Sequence, residues 1–441
     1  MNAARDDATA DTESGLAHAF ARKHENEVLY DPQKGSWFVW NGTRWARDVA
    51  HKATDLMRTT ADAEAGNRDR AVRQRICSAG AIAGALRLAS ADPKLVADPT
   101  KWDANPDLLG TPAGTVDLRT GELRAALPQD RITRLTAVGP AEWADCETWT
   151  RFVAEMVDGD VDLVDYLQRG AGYALTGNVT EQVLLVLFGS GGEGKSTLLG
   201  TLGRMMGDYA VTLPPGTLTA TRADRNTADI VRLKGARLAT TNETAADARW
   251  DEARLKVLTG GDTLAARNLY EGFEDWEPTH KLMVATNHKP GVGIADEALR
   301  RRLHLLTLSR RPLTPDRTLP ERLKKEWPGI LRWAIEGAAD WYGQGLAAPE
   351  QIARSVDAYL AAADPFGAWL RDVIEVTGSP HDAVASAELL QRWNAVLYAN
   401  GDGAWSPQQL ARQMKLRGHD PGRPSCLRGT GRGYAGMRFR E

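Results

Sequence analysis

Cysteine is scarce in this chain of 441 residues: Cys77, Cys146 and Cys426 stand far apart and never as C-x-x-C. That spacing excludes a disulfide framework and a zinc site, and it fits a reducing compartment. No apolar run approaches the roughly 20 residues that a membrane helix needs. The first fifteen residues are polar and acidic, so they read as a loose tail and not as a signal peptide. Neither sign of charge dominates either: 55 Lys and Arg against 58 Asp and Glu leave a formal net charge of -3. A value so near zero argues neither for nor against a polyanionic partner, and only local clustering can decide. The hydrophobic fraction of 42% is that of an ordinary globular chain, here long enough for two to four domains.

Glycine is concentrated where it counts. The stretch Gly189-Ser190-Gly191-Gly192-Glu193-Gly194-Lys195-Ser196-Thr197 follows the apolar run Val183 to Phe188 and precedes a segment striped with Leu198, Leu199, Leu202 and Met206. A short apolar run bounded by glycine reads as a buried strand, and a stripe at spacings of three and four marks one face of a helix. Strand, glycine loop and helix together match G-x-x-x-x-G-K-S/T. In that motif backbone N–H groups wrap phosphates, the lysine reaches the β- and γ-phosphates, and the hydroxyl holds Mg²⁺. Residues 189 to 197 are therefore expected to bind ATP with Mg²⁺, with Lys195 and Ser196 central. A glycine-rich connector without a ligand is the bland alternative, and the strand–helix context disfavours it.

Upstream, Trp37-Phe38-Val39-Trp40 and Thr43-Arg44-Trp45 flank Asn41-Gly42, a strong hairpin signal. Its aromatics either stack bases or hold a small core, and the core is preferred. Arg68, Arg70, Arg73 and Arg75 cluster on a helical stretch with interspersed acids, which reads as a solvated face. A second hairpin is expected over Gly114 to Leu123. Downstream of the glycine loop, Ala236 to Glu243 reads as a strand ending in an acid, where Mg²⁺ and attacking water are managed. Lys281 to Asn287 reads as another strand, ending in an amide able to orient a phosphate or water. Arg300-Arg301-Arg302 then offers charge for a transferring phosphoryl group.

Near the end, Ser406-Pro407 should start a helix, with serine as cap and proline at the first position. Leu427 to Tyr434 looks like a basic hairpin. Arg412, Lys415, Arg417, Arg423, Arg428, Arg432, Arg438 and Arg440 face only Asp420 and Glu441 within this tail. That local imbalance is a footprint for a phosphate backbone, with a basic oligomerisation tail as the alternative.

Taken in order, these segments resemble superfamily 3 helicases. The glycine loop, the strand ending at Glu243, Leu255 to Asp262 ending in Leu-Thr-Gly-Gly-Asp, Ala285-Thr286-Asn287-His288-Lys289-Pro290 and Arg301-Arg302 match in order and spacing. The likeness is greatest to the C-terminal half of phage, plasmid and poxvirus primase–helicases. Glu326-Trp327-Pro328-Gly329-Ile330-Leu331 and Val116-Asp117-Leu118-Arg119-Thr120-Gly121 extend it. The resemblance implies an α/β fold: an AAA+ P-loop ATPase domain, an α+β N-terminal domain and a C-terminal winged helix. The implied division is a tail at 1–15, the N-terminal domain at 16–148, the ATPase at 149–345 and the DNA-binding unit at 346–441.

It implies further that Lys195, Glu243, Asn287, Arg301 and Arg302 are catalytic. Glu243 would activate water and share Mg²⁺ with Ser196, Asn287 would act as sensor, and Arg301 or Arg302 as a finger reaching the next subunit of a hexamer. Asp262 to Thr279 would form a channel hairpin, with Arg267 and Tyr270 touching single-stranded DNA, while Arg428 and Arg432 would touch DNA from the tail. Three departures stand out. A primase domain like that upstream in longer relatives is not expected in this chain, a single acid ends the strand at Glu243, and Arg300 stands where an aromatic is usual. The expected activity is ATP-dependent unwinding in replication of a phage, prophage or plasmid, in the cytoplasm of a bacterial host and without membrane contact. The expected partners are single-stranded DNA, with origin duplex DNA as a further candidate, and a separate primase or polymerase. An ATP-regulated origin-binding initiator is the runner-up, and a small-molecule P-loop phosphotransferase ranks last.

Overall fold

A computed structural model describes residues 11–66, 68–220, 228–243, 248–267, 272–293, 297–311, 316–427 and 431–440. Its centre is a five-stranded sheet in the spatial order Leu303–Thr307, Leu184–Phe188, Lys281–Thr286, Leu238–Glu243 and Ala210–Thr212. Every neighbouring pair is parallel. Parallel strands are covered on both faces and so read as continuous apolar runs. Lys281–Thr286 does this to the extreme, with all six residues buried.

One face of the sheet carries the helix Lys195–Met205 and, behind it, the helices Val161–Leu175 and Trp327–Gln344. This core is continuous from Leu109 and Val116 through Trp149 to Ile352. The small antiparallel sheet Leu108–Thr111, Gly114–Asp117, Glu122–Arg124 therefore packs with the central sheet. The other face is covered by Trp250, Leu255 and Leu258, together with Val356, Tyr359 and Leu360 from the helix Glu350–Ala363.

Two further cores flank this unit. At the N-terminal end, the helices Glu13–His24, Lys52–Ala65 and Ala79–Ala89 close over Leu16, Phe20, Met57 and Leu95. The expected aromatic hairpin forms beside them, with Trp40 opposite Trp45. Trp45 is buried and its indole N–H donates to the Pro128 carbonyl at 2.8 Å, so its role is packing and not base stacking. At the other end, Phe366, Leu389, Trp393, Leu410, Met414 and Tyr434 form a separate core. Ser406 caps the helix Pro407–Leu416 as anticipated, its hydroxyl accepting from the Gln409 N–H. The terminal strands pair with distant segments: Gly433–Ala435 with Ala383–Ala385, and Met437–Phe439 with Ile374–Val376.

A buried cation joins the sheet to the segments before it. Arg237, 3% exposed, donates to the carbonyls of Leu175 at 2.6 Å, Leu108 at 2.8 Å and Asn105 at 3.4 Å. Lys281, also buried, donates to the carbonyls of Thr176 and Thr279. Burial lowers the pKa of both, and the Arg237 charge lowers that of Lys281 further. Carbonyl dipoles receive these charges, which is a costly arrangement that persists only when its geometry is complete.

His280 sits next to this pair. Its Nε2–H donates to the Leu258 carbonyl at 3.0 Å, and Nδ1 has no hydrogen-bond partner. Burial, aided by the Lys281 charge, pushes the imidazole down to about 4 from an ordinary 6.5. The unfolded chain therefore binds the proton first. Stability is complete above pH 6.5 and is lost as the pH falls from there towards 4, by about 3 kcal/mol in total. His280→Gln keeps a donor for Leu258 but cannot titrate. Urea midpoints of the variant should vary less between pH 6.5 and 4.5 than those of the parent, and two parallel profiles would rule the histidine out.

Candidate functional site

The glycine loop leaves the carboxyl end of Leu184–Phe188 and runs into the helix Lys195–Met205. Ligands of open α/β sheets bind beyond the carboxyl ends of the strands, which is where this loop lies. Gly194 has φ +92°, and a Cβ there would stand 2.7 Å from the Phe152 ring. Only glycine allows the loop to turn with the preceding helix, Glu147–Met156, so close.

Lys195 is buried, and its Nζ donates to the Gly189 carbonyl at 2.9 Å and to Glu193 Oε2 at 2.7 Å. Glu193 is also buried and accepts from the Gly191 N–H at 2.9 Å. Burial alone would raise its carboxyl. The bonds from Lys195 and from the backbone N–H groups of Glu193 and Gly191 outweigh burial and hold it at about 2.

The loop forms one wall of a 760 Å³ cleft. Gly191, Gly192, Ser196 and Thr197 line it, as do Phe152, Met156 and Leu319 on an apolar side. Asn287 enters from directly beyond Lys281–Thr286. Across the sheet, Phe188, Thr286 and Glu243 are in register at the ends of three adjacent strands. The backbone of Glu243 thus ends its strand beside the one that delivers Asn287, while its side chain lies outside the described residues.

The other expected site residues are scattered. Arg301 and Arg302 follow the short helix Glu297–Arg300 and do not line the cleft. Arg300 is paired with Asp357, Arg302 Nη1 donates to the Ala298 carbonyl at 2.9 Å, and Arg301 is exposed. The anticipated hairpin forms from Leu264–Ala266 and Glu274–Trp276. Arg267 lies just past its first strand with its guanidinium 5.2 Å from the ring of the exposed Phe273. Tyr270 lies outside the described residues, as does Arg428. Arg432 is exposed before the strand Gly433–Ala435. Two other basic residues of the tail are engaged from outside it: Arg417 with Asp364 at 2.6 Å and Arg438 with Glu375 at 2.8 Å.

The cleft also holds cations that the motifs did not point to, Arg310, Arg311, Arg151 and Arg322. The first two follow Leu303–Thr307, the neighbour of the glycine-loop strand, and only strand order brings them there. Among the described residues no group of three or more His, Cys, Asp or Glu could hold a metal ion. Nor, among them, is any helix long and apolar enough to cross a membrane.

Two families match parts of the chain: one described as D5 N terminal like over residues 17–158, and a family of unknown function over 187–302. A protein named "Putative helicase" from Acanthamoeba polyphaga mimivirus is 24% identical over 325 residues, covering 68% of this chain and 34% of the relative. Another of that name from Frog virus 3 is 31% identical over 169 residues, 37% of this chain and 17% of the relative. A "Putative primase" of African swine fever virus is 24% identical over 209 residues, covering 46% and 22%. The chain spans about a third or less of the length of these curated relatives. They come from viruses of eukaryotes and lend no support to a bacterial host. Among solved structures, the apo NrS-1 C-terminal region shares the fold, with a TM-score of 0.54 at 10% identity over 96% of this chain and 99% of that one. The chain thus carries a D5 N-terminal-like region and is homologous to viral proteins named as helicases and primases.

Proposed function

We propose that this chain is an ATP-driven, ring-forming DNA helicase of the superfamily 3 AAA+ type, acting in replication of a mobile element and translocating on single-stranded DNA. One observation carries the reading. A lysine-bearing glycine loop, an acid-terminated strand and Asn287 converge at the carboxyl ends of three adjacent parallel strands, beside a cleft rich in phosphate-binding groups. The names of the viral relatives support the replication role.

The residues present fit a nucleoside triphosphate. The loop backbone, Lys195 and the arginines suit phosphates, and Phe152, Met156 and Leu319 offer an apolar side for a flat base. Mg²⁺, when bound, would neutralise charge on the phosphates. Ser196 offers it a hydroxyl and Glu243 a carboxylate. Glu243 also accepts a proton from attacking water, and Asn287 orients that water or the γ-phosphate. Arg301 is the candidate finger because its two neighbours are engaged elsewhere. It then acts on the adjacent subunit's nucleotide. Arg267, Tyr270 and Phe273 are the candidate contacts to a strand from the segment 262–279, and the C-terminal region, through Arg428 and Arg432, serves as a winged-helix-like DNA contact.

The deciding experiment measures ATP hydrolysis with and without single-stranded DNA, alongside particle mass by light scattering. Stimulation by DNA and a mass of several subunits in the presence of nucleotide are expected. Hydrolysis indifferent to DNA by a particle that stays monomeric would remove the motor.

A further inference from the structure

Within the glycine loop, one side chain already makes the contacts a phosphate would make. Glu193 is a carboxylate with a side-chain exposure of 0%, in a segment otherwise built to receive an anion from outside. It accepts from the Gly191 N–H at 2.9 Å, Lys195 Nζ at 2.7 Å, Ser190 Oγ at 3.3 Å and Arg311 Nε at 3.5 Å. A loop N–H, an ammonium, a hydroxyl and a guanidinium form the donor set expected of a phosphate oxygen. The loop is also shaped for this acid. Gly189 has no unusual φ, yet a Cβ there would lie 2.8 Å from the Glu193 carboxyl carbon. Its lack of a side chain makes room for the tucked carboxylate.

We infer that Glu193 is an internal stand-in for a nucleotide phosphate and that Arg311, from the same subunit, is a phosphate-binding residue. This deepens the nucleotide-site reading and rests on it. Within the loop Glu193 neutralises Lys195 and holds Arg311, whose second nitrogen also bonds Ser190 Oγ. An arriving triphosphate offers several anionic oxygens in place of two and takes both cations. The carboxylate then has to leave its donors, so every binding event works against a pre-formed ion pair. That opposition favours ligands with enough charge to win. A triphosphate should be selected over a monophosphate more sharply than by an open loop. Two arginines follow the strand Leu303–Thr307, and the bonds single out Arg311: Arg310 lies 3.7 Å from Asp158 instead.

The test is calorimetric titration of the full chain with Mg²⁺ and a non-hydrolysable ATP analogue, then with AMP. Glu193→Gln keeps the size and one acceptor but removes the charge. It should bind the analogue about tenfold more tightly than the parent and discriminate less against AMP. Arg311→Ala should bind the analogue about tenfold more weakly, and the double variant should lose most of the gain. Circular dichroism melting shows whether each variant is folded. Should Glu193→Gln not fold, Arg311→Ala alone decides, since unchanged affinity there overturns the assignment. A Glu193→Gln protein that is folded and binds no more tightly would overturn the stand-in while leaving the nucleotide site intact. A parent chain that binds no nucleotide at all would instead overturn the underlying reading.

Discussion

Lys195→Ala is expected to reduce DNA-stimulated ATP hydrolysis by about a thousandfold without unfolding the chain. The magnitude follows from the role. Phosphoryl transfer leaves little covalent work to the protein, so charge stabilisation and positioning carry most of the rate. Lys195 starts its helix with Nζ already beside the loop carbonyl of Gly189, and among the described residues no other ammonium lines the cleft. The substitution also strands Glu193 without its strongest donor, which should cost stability and not only rate. Arg301→Ala should be comparably inactive by a different route, since it removes charge from the neighbouring site and leaves nucleotide binding nearly intact. Mixing the two inactive proteins separates these routes. In randomly mixed rings about a quarter of the interfaces join an intact loop to an intact finger, so recovery of up to about a quarter of the activity is expected. Two folded variants that co-assemble and recover nothing would falsify a site shared between subunits.

Gly337→Ala should be strongly destabilising for the addition of a single methyl. The helices Val161–Leu175 and Trp327–Gln344 approach until their backbones touch. A Cβ on Gly337 would stand 2.2 Å from the Gln168 carbonyl oxygen, and one on Gly172 would stand 2.1 Å from the Ala338 nitrogen. No rotamer change relieves a clash with backbone, so the helices must separate and the Trp333 and Trp341 packing opens with them. The expected loss is about 3 kcal/mol or more, on the order of a 10 °C fall in melting temperature. Gly203→Ala is the matched control. That position is in the helix Lys195–Met205 with nothing within 4 Å of the added carbon, so about 0.5–1 kcal/mol of stabilisation is expected. Equal melting temperatures for the two variants would mean that the helices are not packed this closely.

The features legible in the sequence are those set by local rules. The Asn-Gly hairpin, the Ser406 cap, the glycine loop and the strands delivering Glu243 and Asn287 each announce themselves within a few residues. The Arg311 contact with Glu193 does not, because 118 residues separate the two and only the strand order closes the distance. Arg237 and Lys281 were equally opaque, being cations at the heads of apolar strands whose partners are carbonyls, which no side-chain pattern reveals. The tail was read from its own charges alone. Arg417 and Arg438 meet Asp364 and Glu375, acids that lie before the tail, because its strands pair backwards over some fifty residues and more. The implied boundary at 346 follows the helix Trp327–Gln344; beyond it, Val356 to Leu360 pack on the sheet, and Phe366 belongs to the terminal core.

The bonds of Arg237 bear on how such a chain can be inherited in pieces. Its three acceptors, Asn105, Leu108 and Leu175, come from either side of residue 158, where the D5 N-terminal-like match ends. All three are main-chain oxygens, which every amino acid supplies alike. Recombination that replaced residues 17–158 with a distant cousin's segment could therefore preserve the joint with hardly any sequence in common, provided the backbone arrived at the same place. An insertion or deletion of one residue between positions 105 and 108 would move the oxygens and leave a charge buried without acceptors. The junction is thus permissive to substitution and strict about length, and divergence across it should accumulate as changed letters more than as gaps.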